Sequence, residues 1–508
     1  MARITIPYAV ADFVEMRERN FYYVDKTDFI PGLEDYKAPV FLRPRRFGKS
    51  LFISTLTCYY DRTKADRFEE LFGGTWIGEH PTEEHNRYMI VRYDFSKMVM
   101  ADDMEGLERN FNDLNRSPVE IMVTHNRDLF KDFQFSSKKE ASKMLEEALG
   151  YAREHGLPKV YVLIDEYDNF TNQLLTAYKD PLYEQVTTKD SFLRTFFKVI
   201  KAGIGEGSIR TCFCTGVLPV TMDDLTSGYN IAEILTLHPR FLDMLGFTYE
   251  EASAYLRYVL DKYGTGQDSF EELWQLIVNN YDGYRFRPGA EPLFNSTILT
   301  YFFKNFATMD GMIPSELVDE NLRTDIGWIR RLTLSQENSK EMLDALVIDD
   351  ELSYNVSDLS SKFNKRKFFD KNFYPVSLFY LGMTTLRNNY RMVLPNLTMR
   401  SIYMDYYNEM NHIEGNAQRY VPTYERFTEE RIGASFRAAG TKLLRAIPRA
   451  VPGAGVRQDQ REFHPLLLLR ALFPLPEQLL YVRHRAEQFG GPFGFRDDRY
   501  PRYGLLQG

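Results

Sequence analysis

The sequence predicts an α/β protein built on a parallel sheet, and three observations carry that expectation. A short apolar run leads into Gly48-Lys49-Ser50 and continues as an apolar stretch with helical spacing. A second run, residues 159–164, ends in the adjacent acids Asp165 and Glu166. A third, residues 208–214, alternates like a strand and ends in Thr215-Gly216. Short continuous apolar runs suit strands buried on both faces, and polar residues at their carboxyl ends sit where open α/β sheets place ligands.

Residues 38–42 are the strand that feeds the loop Phe41-Leu-Arg-Pro-Arg-Arg-Phe-Gly-Lys-Ser50. The loop chemistry explains its residue types. A glycine lets backbone N–H groups close on phosphates, a lysine reaches the β/γ oxygens, and the next hydroxyl ligates Mg²⁺. The helix expected over residues 51–60 presents its N-terminal amides to an anion. Arg46, Phe47, Gly48, Lys49, Ser50 and Leu51 are the candidate nucleotide-binding residues, with Ser50 on the metal. The general pattern starts with a glycine five positions before Gly48, where this chain has Arg43 followed by Pro44, which lacks an N–H.

Residues 88–95 supply an additional strand between the loop and the acid pair. Asp165 is expected to hold Mg²⁺ through water, and Glu166 to polarise the attacking water as general base. A helix N-cap by Asp165 or Asp168 is the alternative. Thr215 is the candidate γ-phosphate sensor, against a threonine that merely satisfies a turn. Residues 234–238 are a candidate fifth strand. Arg43, Arg45 and Arg46 either approach the nucleotide or pair with neighbouring acids. Together these elements predict a phosphate-loop NTPase of the additional-strand, catalytic-glutamate type, a three-layer sandwich over residues 1–246, with ATP and Mg²⁺ as ligands.

Beyond it, residues 247–330 read as a helical lid. Thr248 and Glu251 have capping-box spacing before a helix, a second helix starts at Phe270, a turn falls at Asp282-Gly283, and a third helix covers 296–306. Arg285 is either a second sensor or structural. Residues 331–412 predict a small winged-helix-like region, with a hairpin turning at Asn388-Asn389 and a helix over 397–410.

The chain has 508 residues and a net charge of −8, too long for one core. Its three cysteines, Cys58, Cys212 and Cys214, suit a reducing cytoplasm and read as core thiols. No apolar run is long enough to suggest a membrane span. Residues 432–508 carry twelve Lys and Arg against six Asp and Glu, a net of +6, so the remainder carries −14. That acidic body does not support a nucleic-acid surface. A protein partner and self-association stay open.

The set of motifs resembles the predicted AAA-ATPase-like family. The resemblance rests on Phe21-Tyr-Tyr-Val-Asp-Lys-Thr27, Arg43-Pro-Arg-Arg-Phe-Gly-Lys-Ser50 and Leu163-Ile-Asp-Glu-Tyr-Asp168. It rests also on Thr215-Gly-Val-Leu-Pro219, His238-Pro-Arg-Phe241 and Tyr281-Asp-Gly-Tyr-Arg-Phe286. It spans roughly residues 5 to 430 and implies ATP binding and hydrolysis. The Arg-Pro-Arg-Arg loop is normal among these relatives. Many of them end in a nuclease domain of the PD-(D/E)xK type, which needs an Asp and then Glu-x-Lys to hold Mg²⁺. No Glu-x-Lys occurs after residue 431, so the nuclease reads as lost.

Residues 413–508 form an Arg/Pro/Gly-rich tail expected to be poorly ordered, either a shifted reading frame or a genuine extension. The function expected is a Mg²⁺-dependent ATPase that moves the lid. The alternatives are a nucleotide-gated interaction module with negligible hydrolysis, or the remnant of an ATPase–nuclease fusion acting on DNA.

Overall fold

The computed structural model describes residues 5–410 except 138, 188–190, 226–227, 267, 315–316, 318–325, 335–344, 347–350 and 361. The tail at 413–508 lies outside the described residues. Met1–Tyr403 form one compact unit and a second starts at Met404. Of that second unit only the end of one helix is described.

Five strands form the central sheet: β1 (Pro39–Leu42), β2 (Met89–Asp94), β3 (Val160–Asp165), β4 (Ile209–Gly216) and β5 (Glu233–Ile234). They are parallel throughout, in the order β2-β3-β4-β1-β5. β1 and β3 are buried along their whole length, as their uninterrupted apolar sequences require. The register brings Leu42 beside Gly216 and Asp94 beside Asp165, so the carboxyl ends of β1 to β4 finish together. The fifth strand is shorter than the sequence suggested and starts one residue earlier. Beyond it Leu235 N donates to Val40 O, and the Thr236 hydroxyl accepts from Leu42 N.

Helices cover both faces. In chain order they are α1 (Lys49–Tyr60), α2 (Met104–His125), α3 (Ala141–Glu154), α4 (Asn169–Thr176) and α5 (Phe192–Glu206). Alternation along a strand sends neighbouring side chains to opposite faces. On one face Tyr161 and Phe213 meet Tyr60 and Phe52 of α1. On the other Tyr93 meets Phe196 of α5 edge-on. The result is a three-layer α/β unit compatible with a phosphate-loop NTPase. Cys58, Cys212 and Cys214 are buried free thiols in it.

Three helices follow: α6 (Tyr249–Tyr263), α7 (Phe270–Tyr281) and α8 (Ser296–Thr308). The Thr248–Glu251 capping box forms, with each side chain bonded to the other's backbone N–H. Gly283 turns the chain at φ 105°. An added Cβ there would lie 2.1 Å from Pro395 O, so only glycine fits.

After α9 (Ile326–Leu334) come β6 (Leu352–Ser353), α10 (Tyr374–Tyr380), β7 (Thr385–Leu386), β8 (Arg391–Val393) and α11 (Leu397–Met410). The hairpin pairs Leu386 with Met392, and the Asn388 side chain accepts from Tyr390 N and Arg391 N at its turn. β6 adds a third antiparallel strand. This segment packs directly on the loop after β1. A Cβ on Gly382 would lie 2.4 Å from that of Pro44. Arg285 N donates to Thr385 Oγ1, so at least its backbone is structural. No helix among the described residues is long and apolar enough to cross a membrane.

Candidate functional site

In the loop between β1 and α1 the carbonyls of residues 43–47 are all hydrogen-bonded. Lys49 Nζ donates to the Arg43 and Pro44 carbonyls, at 3.0 Å each. Arg45 O accepts from the Asn295 amide, and Arg46 O from Thr297 N and Ser296 Oγ. Phe47 O accepts from Gly246 N. The first turn of α8 therefore holds the outer edge of the loop. Arg46 (φ 72°) and Gly48 (φ 87°) take left-handed conformations that fold the backbone inward. Among the described residues, the N–H groups of Phe47, Gly48, Lys49, Ser50 and Leu51 have no hydrogen-bond acceptor. Successive unpaired amides in such a turn make an anion-binding concavity, reinforced by the helix they open. The Ser50 hydroxyl also makes no hydrogen bond among the described residues.

Arg43 stands where a glycine is usual, and its hydrogen bonds go to backbone carbonyls. It is 1% exposed. Its guanidinium donates to the carbonyls of Leu42, Thr236, Phe241 and Leu242. It also lies over the rings of Phe41 and Phe286, 4.3 and 3.8 Å from their centroids. Burial pushes it down to about 9, opposed by Asp243, so it stays charged at neutral pH. Of the acids, Asp243 is the one that acts on it. The left-handed turns of the loop fall at 46 and 48, so position 43 does not need glycine.

The acids converge on the same place. Burial lowers the Lys49 ammonium from its ordinary value, and Glu166, Asp165 and Asp168 oppose that shift. The cation and the carboxylates thus share one electrostatic neighbourhood at the carboxyl end of the sheet. Asp165 is buried and accepts from Thr215 Oγ1 at 2.8 Å. Thr215 is completely buried, and its hydroxyl proton is committed to Asp165. Glu166, the residue after β3, adopts a left-handed conformation (φ 50°). Its carboxylate accepts from Asn169 Nδ2 at 2.6 Å. Burial raises it from the ordinary range, Lys49 lowers it, and Asp165 and Asp168 raise it further. Such a shift makes a carboxylate a stronger base.

Asp168 was read only as a candidate N-cap, and its side chain does not cap α4. It accepts from Val217 N, Leu218 N and the Asn172 amide instead, tying the end of β3 to the end of β4. Gly216 sits against this junction, where a Cβ would lie 2.5 Å from Asp168 Oδ1. Asn169 and Asn172 escaped sequence reasoning. Their spacing of three on a helix after the acid pair was the available signal.

Several hollows adjoin the loop, and two of them reach the site. A mostly apolar cavity of about 110 Å³ lies beside Gly48 and Leu51, walled by Tyr22, Lys26, Phe247 and Thr300 among others. A second, of about 10 Å³, lies between Arg45, Glu166, Asn172 and Val217, and is closed by Trp328 and Leu381.

Comparison with known proteins agrees with this geometry. Residues 7–226 match the family described as predicted AAA-ATPase. A protein of Azotobacter chroococcum mcd 1, described as an uncharacterized protein in the vnfD 5′ region, is 27% identical over 264 residues. The match covers 50% of this chain and 45% of that relative, so the chain spans less than half of the relative's length. The matched segment 7–226 contains the loop, Asp165, Glu166 and Thr215.

Proposed function

We propose that the chain binds ATP with Mg²⁺ at the loop after β1 and hydrolyses it. The observation that carries this reading is the row of five unpaired amides at residues 47–51, closed by the Lys49 ammonium on one side and by Asp165 and Glu166 on the other. Lys49 exchanges its two carbonyl bonds for phosphate oxygens, and the amides hold the β-phosphate. The apolar walls of the cavity beside Gly48 and Leu51 suit a planar base.

Ser50 and Asp165 would hold Mg²⁺, which when bound draws charge off the β- and γ-phosphate oxygens. Thr215 fixes the orientation of the Asp165 carboxylate and so couples the end of β4 to that site. Glu166 takes a proton from the attacking water, helped by its raised affinity for protons. The α8 turn bonded to Arg45 and Arg46 supports nucleotide-dependent movement of α6 to α8, because any shift of the loop is felt there first.

The test compares steady-state phosphate release by the wild type and by Glu166→Gln, with ATP affinity measured beside it. Loss of roughly 100-fold in turnover with affinity retained is expected for a general base. Equal turnover removes Glu166 from the role. Tight binding without wild-type turnover favours a nucleotide-gated interaction module.

A further inference from the structure

The hollow beside Glu166 is the size of one water molecule. Its volume of about 10 Å³ matches the smallest space that holds a water. Three of its walls are apolar: Val217, Trp328 and Leu381. Its polar walls are Arg45 from the loop and Glu166, Asp168, Asn169 and Asn172 from the β3–α4 junction, the two asparagines standing one helical turn apart.

Asn172 is 6% exposed, and its Oδ1 has no hydrogen-bond partner. The amide cannot be turned over to relieve this. Its Nδ2 donates to Asp168 Oδ2 at 2.7 Å, and that carboxylate also accepts from Val217 N and Leu218 N. The acceptor Oδ1 is therefore the amide atom left without a partner, on a residue that lines the hollow. A buried amide oxygen left without a donor costs about 1–3 kcal/mol, so this position favours a bound donor such as water.

We propose that Asn172 is a catalytic residue that, with Glu166, holds the water attacking the γ-phosphate. The inference rests on the ATP-hydrolysing reading above. A water has two hydrogens, and of the acceptors around the hollow a Glu166 carboxylate oxygen and the unpartnered Asn172 Oδ1 would take them. With both engaged, an oxygen lone pair is left to face the phosphorus. As the water oxygen bonds to the γ-phosphorus, the bond from that phosphorus to the β–γ bridging oxygen breaks, and its electron pair leaves with ADP. One water proton passes to Glu166 and then to the released phosphate. Asn169, bonded to Glu166, keeps the base turned toward this water. Trp328 and Leu381 keep other water out, so the segment that follows the helical region completes the site.

The test measures kcat, KM for ATP and ATP affinity for the wild type, Glu166→Gln, Asn172→Ala and Asn172→Asp, with rates normalised to ATP-binding sites. Asn172→Ala is expected to lower kcat roughly 10- to 100-fold with affinity unchanged, the cost of a misplaced reactant. Asn172→Asp keeps an acceptor in the hollow while placing a like charge beside Asp168. It is expected to retain more turnover than Asn172→Ala and to melt at a lower temperature. A merely structural asparagine gives the opposite order of turnover, and that order overturns the proposal. So does wild-type kcat in Asn172→Ala alongside a dead Glu166→Gln, which leaves the hydrolytic reading standing. A wild type that turns over no ATP removes both.

Discussion

Restoring the usual glycine at position 43 should harm this protein. Arg43→Gly deletes four hydrogen bonds from a charged donor to the Leu42, Thr236, Phe241 and Leu242 carbonyls, and two ring contacts. Bonds of this type stabilise by about 1.5–3 kcal/mol each, and cation–ring contacts by about 0.5–2 kcal/mol. Releasing the cation to water offsets part of that sum, consistent with its value being pushed down to about 9. Non-additivity removes more, which leaves an expected loss of about 3–5 kcal/mol. For a domain of this size the thermal midpoint should then fall by roughly 10 °C. Thermal unfolding followed by circular dichroism measures it, with Arg43→Met as the variant that keeps side-chain bulk while losing the bonds. Arg43→Met should fall between wild type and Arg43→Gly. A midpoint unchanged or raised in Arg43→Gly refutes the structural role and reopens a phosphate-facing one.

Two other outcomes follow from single contacts. Thr215→Val removes the hydroxyl that fixes Asp165, so the Mg²⁺ concentration giving half-maximal turnover should rise roughly 10-fold. A Mg²⁺ titration at saturating ATP reads this, and an unchanged midpoint counts against Asp165 as the metal-holding acid. Asp282 concerns stability. Its carboxyl is raised by burial from 3.8 to about 6, with Gly283 N–H and Arg285 opposing. The folded state binds the proton more tightly than the unfolded one, so stability falls as pH rises from about 4 to 6 and stays reduced above. Ionising the group in place costs about 3 kcal/mol. Asp282→Asn should recover up to that amount at pH 7.5 and progressively less toward pH 5. A gain that is equal at both pH values contradicts the assignment.

The sheet was legible because β1 to β4 are apolar runs bounded by loop residues, and because the chemistry sits at their carboxyl ends. The three helices after the sheet announced themselves by caps and spacing, as Thr248 and Glu251 show. The hairpin at Asn388-Asn389 was legible from its turn residues. β5 was harder, since it spans two residues and Ile234 is exposed. β6, also two residues long, has no periodicity to read. Arg43 could not be understood locally, because most of its partners come from residues 236–242 and 286. For the same reason Asn172 looked like an ordinary helix residue until the end of β4 and residues 328 and 381 were folded against it. The lining of the larger cavity likewise joins residues 7–26 to residues 245–300, a meeting that no sequence window contains.

The central claim is that the amides of residues 47–51 and the Lys49 ammonium grip a triphosphate. Equilibrium binding of ATP in the presence of Mg²⁺, measured for the full chain and for Lys49→Ala, addresses it most directly. Saturable binding that weakens roughly 10- to 100-fold in Lys49→Ala is the predicted result, the worth of a bond from a charged donor. Equal affinity in the two proteins, or none in the wild type, contradicts it.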